Sequence, residues 1–333
     1  MAYTLSRPGE LSGEARALFY KKWLGEVLMA YEQMTVFKGL ITNKTIDSGK
    51  SGSFPIIQDA PAPRIFIPGV DELTGSKIEN QEVVINIDGL LVGDTMVYEL
   101  DEWMSEYAVR DRYNKKLVYS MALATDSAIA AEIIKDSLNG TNRVDLVTQA
   151  PTVSAASAEE LVDAIFGAAE TLDNNKVMDT NRYLVVCPSV YYKLFKYLAA
   201  IDKDYGGQGS IATGQIMELA GFKIIKSNTL KSIVNIPDGG SVTFGVDMSA
   251  DGGNKHQVTV GESDVGSAGV LGLAFTEDAA AMLTLRDLIP EINYIPEKLS
   301  YLIAVKMAAG FGALRPEAAV MIADPAATVS AVV

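Results

Sequence analysis

The sequence predicts an α+β protein, and three observations lead to that class. A stretch from Glu99 to Leu138 has no Pro or Gly, and in it Trp103, Tyr107, Tyr113, Leu117, Met121 and Ala124 recur at helical spacing. Short β-branched runs dominate before it, from Thr42 to Tyr98, and again from Val270 onward. Between these strand-rich parts, past Gly140, helical and extended patterns alternate as in an inserted α/β domain.

The long helix is marked at both ends. Glu99, Asp101 and Glu102 sit where the positive end of the helix dipole favours anions, and Asn139 and Gly140 supply residues that tolerate a left-handed stop. About 40 helical residues span roughly 60 Å, whereas a compact globule of this length has a diameter of roughly 50 Å. The sequence therefore predicts a plate-like subunit with the helix as a strut, a shape whose edges call for neighbours.

Composition narrows the function classes. The 333 residues are 48% hydrophobic, enough for one large core or two modest ones. A net charge of -14 argues against wrapping nucleic acid through phosphate contacts and suits a surface that faces it without adhering. The single cysteine, Cys187, excludes a disulfide within the chain and fits a reducing compartment. The start lacks the basic-then-apolar pattern of a secretory signal, and no run approaches the roughly 18 apolar residues needed to span a bilayer. The expectation is a protein made and kept in the cytosol, with no membrane partner.

In chain order, Pro8 and Gly9 break the start, and from Ser12 to Phe37 the residues Phe19, Trp23, Val27, Tyr31 and Met34 keep helical intervals. This amphipathic helix packs on its own core or lies as an arm on another subunit, and the pattern fits either. From Thr42 to Ile87 the helical period gives way to short extended runs separated by Pro55, Pro61, Pro63 and Pro68, the pattern of a long two-stranded arm with little core of its own. In its returning strand Val83, Ile85 and Ile87 share one face, so one side is buried where the arm rejoins the body. Leu90 to Tyr98 then leads directly into the strut. Ser157 N-caps a helix whose buried face holds Leu161, Ile165, Ala168 and Leu172. Tyr183 to Cys187 is a buried strand, Pro188 opens a further helix, and strands follow near residues 222–225, 242–246 and 258–260. The strands from Leu271 to Ile322 are expected back under the strut, with Val83 to Tyr98 as partners.

Nothing in the residues announces chemistry. Gly49-Lys50-Ser51 ends like a phosphate loop, but Lys44 stands where the leading Gly belongs and no helix follows. His256 sits in a Gly/Asn loop and reads as solvated, and Cys187 ends an apolar strand as a small hydrophobe. A Cys187 and His256 nucleophilic pair is formally possible, and the inertness of the thiol to alkylation would exclude it. Acidic pairs such as Asp71-Glu72, Asp101-Glu102 and Glu159-Glu160 lie at helix starts or loop tips, where solvent and dipole explain them. No catalytic residue, metal ligand or cofactor site is expected.

Certain strings carry a resemblance: Ser48-Gly49-Lys50-Ser51 with Phe54-Pro55, Ile87-Asp88-Gly89-Leu90-Leu91, Leu285-Arg286-Asp287-Leu288, and Leu314-Arg315-Pro316-Glu317-Ala318-Ala319. With the order of arm, extended loop, strut, inserted domain and returning strands, the chain resembles the major capsid proteins of tailed bacteriophages, the Hong Kong ninety-seven type. It is most similar to those of short-tailed podoviruses of the autographivirus type. The resemblance implies an N-arm at residues 1–47, an extended loop at 48–88, a peripheral domain at 89–149 and 270–323, an axial domain at 150–269 and a tail at 324–333. It implies hexamers and pentamers tiling an icosahedral head around double-stranded DNA, in a virion assembled in the host bacterial cytoplasm. Implied partners are copies of the chain, a separate scaffolding protein, a portal and, as an optional addition, decoration proteins. Lys50, Phe54, Ile56, Arg64 and Phe66 of the loop, with Trp23 and Tyr31 of the N-arm, are the expected subunit contacts. Two alternatives stay open: an encapsulin-type nanocompartment of the same fold, separated by the contents of purified particles, and a cytosolic enzyme built on the α/β domain, separated by a sizing column.

Overall fold

A computed structural model describes residues 35–57, 80–100, 109–148, 156–197, 218–236, 240–249, 254–262 and 267–332, with short pieces at 65, 78, 152–154, 209–210 and 215–216. The strands in chain order are β1 (Thr42–Thr45), β2 (Ser51–Ile57), β3 (Asn80–Asn86), β4 (Gly89–Tyr98), β5 (Arg143–Asp145), β6 (Arg182–Val186) and the short β7 (Gly209–Ser210), β8 (Gln215–Ile216) and β9 (Glu218–Leu219). They continue with β10 (Phe222–Lys226), β11 (Val234–Ile236), β12 (Ser241–Asp247), β13 (Lys255–Glu262), β14 (Ser267–Thr276), β15 (Ala280–Ile295), β16 (Ser300–Ala313), β17 (Ala319–Ala323) and β18 (Ala327–Ala331). The helices are α1 (Val109–Asn139), α2 (Ala158–Asn174) and α3 (Pro188–Lys196).

Helix α1 is the strut, 31 residues long in its described part, or about 46 Å at 1.5 Å per residue. Glu99 and Leu100 are helical as expected, and residues 101–108 lie outside the described residues. Its segment Tyr113–Asn139 is in fact long and apolar enough by composition to cross a membrane, against the sequence expectation, but 67% of that window is buried in protein. The helix stops differently from the expectation as well. Thr141, at φ 54, takes the left-handed conformation. Gly140 is required for closeness instead, since a Cβ there would lie 2.5 Å from the Pro316 carbonyl oxygen.

Strand pairing follows side-chain pattern. In the sheet ordered β5-β17-β14-β6-β10-β9 both faces are covered. Val185, Leu273, Phe275 and Met321 point to the core shared with α1, while Leu184, Val186, Ala274, Val320 and Ile322 point to the core under α2 and α3. Burial on both faces is why these strands are continuous apolar runs. Strands β14 and β17 pair with each other, β14 also with β6 and β17 with β5; they lie under the strut as the sequence reading expects, but not in the sheet of β4. Only β15 and β16 join β4, in the sheet ordered β1-β15-β16-β4. The chain end also pairs inward, β18 lying against β13 in the sheet β12-β13-β18 that packs on α1.

The remaining expected elements form where the residues indicate. Ser157 Oγ accepts from the Glu159 N–H at 3.3 Å and caps α2, and Pro188 occupies the first turn of α3. Near the N-terminal end the helix reading stops short: Thr35 to Phe37 are not helical, and a 3-10 turn covers Lys38–Leu40. Phe37 is fully buried and its ring stacks on Phe275 at 6.0 Å. The N–H groups of Val36 and Phe37 donate to the Asp126 carboxylate of α1 at 2.8 and 3.2 Å, fastening the arm to the strut.

Candidate functional site: the hairpin and the sheet face beside it

The two-stranded arm is real at its base. Strands β2 and β3 pair antiparallel from Ser51 opposite Asn86 to Ile57 opposite Asn80. Pro55 is tolerated because this sheet has only two strands, so its missing N–H can face away from the ladder. Ile85 is buried and Val83 and Ile87 are partly buried on the same side, while Val84 on the other side is 55% exposed, the alternation read from the sequence. The hairpin lies over β15, where Phe54 and Ile85 form a small core with Ala281 and Leu283.

That packing corrects one expected contact. Phe54 is buried in its own subunit, with the Lys44 ammonium 5.3 Å from its ring centroid, because Leu283 offers the hairpin an apolar seat. Lys50 is exposed at the turn into β2, its carbonyl accepting from the Ile87 N–H at 2.8 Å. Ile56 is half-buried and lines a cleft of about 710 Å³ together with Gln81, Met178 and Arg315. Trp23, Tyr31, Arg64 and Phe66 lie outside the described residues.

Beside the hairpin the outer face of the four-stranded sheet is bare. Along β4 the residues turned away from α1 are Leu90, Val92, Asp94, Met96 and Tyr98, all exposed, with Leu90 at 59% and Tyr98 at 54%. Leu91, on the opposite side, packs into the core around α1. Leu299, at the end of the β15-β16 hairpin, is also exposed, whereas Tyr294 lies on the Val97 side of the sheet through its partner Tyr301 and donates to Glu99 Oε2 at 3.0 Å. Strand β4 is also a sheet edge. An edge strand with a row of exposed apolar side chains is a liability unless another surface covers it.

The residue most misjudged from sequence is His256. It is 1% exposed, with Nε2 2.7 Å from Asp88 Oδ2 and Nδ1 2.9 Å from Glu132 Oε1. Both carboxylates only accept, so both ring nitrogens must donate and the imidazole carries a proton on each. Burial opposes that charge, but the bonds and charges of Asp88 and Glu132 outweigh it and raise the His256 pKa to about 9. Burial also works against an ionised Glu132, yet His256 and then Lys135, whose ammonium is 2.8 Å away, hold its pKa below the ordinary value. Both imidazole nitrogens being taken, and Cys187 sitting at the start of α3 against Ser189 Oγ at 3.3 Å, the two residues form no nucleophilic pair.

Comparison with known proteins shows the family of the chain. Residues 54–323 match the Gp10A-like family, described as major capsid protein. The chain belongs to that family. It is 31% identical to the major capsid protein of Escherichia phage T7 over 92% of each chain, and 29% identical to that of Enterobacteria phage T3 over 95% of this chain and 94% of the relative. Among solved structures, the capsid of cyanophage P-SCSP1u superposes with a TM-score of 0.69 at 30% identity, covering 87% of this chain and 88% of the other. The protein is a structural subunit of a tailed-phage virion with the expected α+β capsid fold, and it self-assembles into a shell. This family membership places it with phage shells rather than with nanocompartments or enzymes of the α/β domain.

Proposed function

We propose that copies of this chain assemble as hexamers and pentamers into an icosahedral head around double-stranded DNA, in the host bacterial cytoplasm and with a separate scaffolding protein and a portal. Decoration proteins are an optional outer partner, and the subunit's role is geometric, with no catalytic step. The observation that carries this reading is the exposed apolar row on β4, an edge among the described strands, beside the hairpin, surfaces that a neighbouring copy would cover. In this reading residues 58–79, with Arg64 and Phe66, lie over an adjacent subunit, and Lys50 and Ile56 flank that contact. Trp23 and Tyr31 supply a second contact from the N-arm. The net charge of -14 limits adhesion to the packaged DNA. Electron microscopy of the expressed chain, with and without scaffold, tests the proposal: closed shells are expected, and dispersed small oligomers under both conditions would contradict it. Arg64→Glu is expected to abolish regular shells while leaving soluble, folded subunits, and normal particles from that variant would remove Arg64 from the contact.

A further inference from the structure

The described hairpin joins the body of the subunit at a narrow root. On one side it crosses β16 at two glycines: a Cβ at Gly310 would lie 2.0 Å from the Asn86 carbonyl oxygen, and one at Gly312 would lie 2.8 Å from the Ile85 side chain. Phe311, between them, donates its N–H to Asp88 Oδ2 at 3.3 Å and sets its ring edge-on to His256 at 5.3 Å. Asp88, just after β3, accepts further bonds through Oδ1 from the Asn254 backbone N–H at 3.1 Å and side-chain amide at 2.9 Å. Glu132 and Lys135 of α1 complete the cluster, Lys135 also donating to the Lys255 carbonyl at 2.5 Å. A cavity of about 410 Å³ runs along the same root, lined by Val84, Asn86, Glu132 and His256 among others. Besides the apolar seat of Phe54 and Ile85 on β15 and the Asp88 N–H bond to the Ala309 carbonyl at 3.4 Å, the polar cluster is what fills the root beside that cavity.

We infer that His256 is the positioning residue of the hairpin: by bridging Asp88 to Glu132 it ties the hairpin root to the strut and sets the direction in which the hairpin leaves the subunit. The inference uses the shell reading only for its consequence, since direction of the hairpin would then set how neighbours meet. The charged groups facing His256 are Asp88 from the hairpin root and Glu132 with Lys135 from α1, while Lys255 adjoins it in β13, β16 presents only Phe311, and Asp136 lies behind Glu132. They leave the root neutral overall when His256 is protonated and acidic when it is not.

Hydrogen exchange on the unassembled full chain tests this, comparing wild type, His256→Gln, and the neutral set Asp88→Asn, Glu132→Gln, Lys135→Gln, His256→Gln. The expected result is selective loss of protection at residues 51–57 and 80–86 in His256→Gln, with residues 118–134 of α1 unchanged and partial recovery in the neutral set. Loss in hairpin and helix together would reduce His256 to a general stabilising residue, and an unchanged hairpin would equally overturn the inference. Should the single variant fail to fold, wild type supplies the same test through pH. With its pKa raised from 6.5 to about 9, His256 contributes fully below the unfolded value and loses that contribution as pH rises through about 9. Hairpin protection should then fall across that range before helix protection does, and coincident or absent loss overturns the inference. Scaffold-assisted assembly of a chain with a loosened hairpin should give shells of altered size or none. Uniform wild-type shells from such a chain would overturn the geometric role of the root while leaving the shell reading itself intact.

Discussion

The sheet β5-β17-β14-β6-β10-β9 and the sheet β1-β15-β16-β4 are made from similar residues but finished differently. The first has α1 over one face and α2 with α3 over the other, and Leu184, Val185, Leu273, Ala274 and Phe275 are all fully buried. The second is covered by α1 on one face and, among the described residues, on the other where the hairpin reaches Ala281, Leu283, Gly310 and Gly312. Its remaining outer face shows Leu90, Val92, Met96 and Tyr98 to solvent. One sheet thus completes its core within the subunit, while the other leaves an apolar surface of the kind that association covers.

Substitutions in the two regions should therefore separate folding from assembly. Phe275→Ala removes a fully buried ring that packs against Phe37 and Tyr183, and about 3–5 kcal/mol of stability should go with it. Little soluble chain is expected, measured as the yield and unfolding midpoint. Gly310→Val drives a side chain into the Asn86 carbonyl, and about 1–3 kcal/mol is expected to be lost, with the hairpin displaced. Circular dichroism should remain near native while particle formation fails. Should Gly310→Val assemble normally, the hairpin crossing is not a determinant of shell geometry.

Asp136 sharpens the comparison within α1 itself. It is buried, its Oδ2 has no hydrogen-bond partner among the described residues, and burial followed by repulsion from Glu132 and Glu317 raises its pKa to about 7. A carboxyl raised from 3.8 stabilises the folded state relatively most below that value, and the advantage is lost as pH rises through about 7. Asp136→Asn should accordingly raise the unfolding free energy at pH 8, by a few kcal/mol at most, with the gain shrinking towards pH 4. A gain independent of pH would show that packing, not charge, governs the site. The smallest effect on folding is expected from Leu90→Ser combined with Met96→Ser. These exposed positions should change subunit stability by only about 0.5 kcal/mol each, yet regular shells should be lost by electron microscopy.

What could be read from the residues tracks how locally each feature is encoded. The strut, the capped helix α2 and the hairpin base announce themselves through 3.6- and 2-residue periods, Ser157 and the prolines. The placement of β14 and β17 was not legible, because strands buried on both faces carry no alternation to say which face, or which partner, they take. Phe54 looked like a free contact because Leu283, which covers it, is more than 200 residues away in sequence. The hairpin root was missed for the same reason, yet signals existed. His256, Val258 and Val260 fall on one face of a strand, and all three are buried. Glu132 interrupts the apolar run Ala130, Ala131, Ile133 and Ile134, where a charge needs a partner. Trp23, Tyr31, Arg64 and Phe66 remain proposals on residues outside those described.

The most direct test of the account is electron cryomicroscopy of particles formed by the full-length chain, resolved well enough to trace side chains on β4. The account predicts closed shells in which Leu90, Val92, Met96 and Tyr98 of every subunit are covered by an adjacent copy. Shells that leave this row open to solvent, or a chain that stays dispersed with the row exposed at high concentration and with scaffold present, would contradict it.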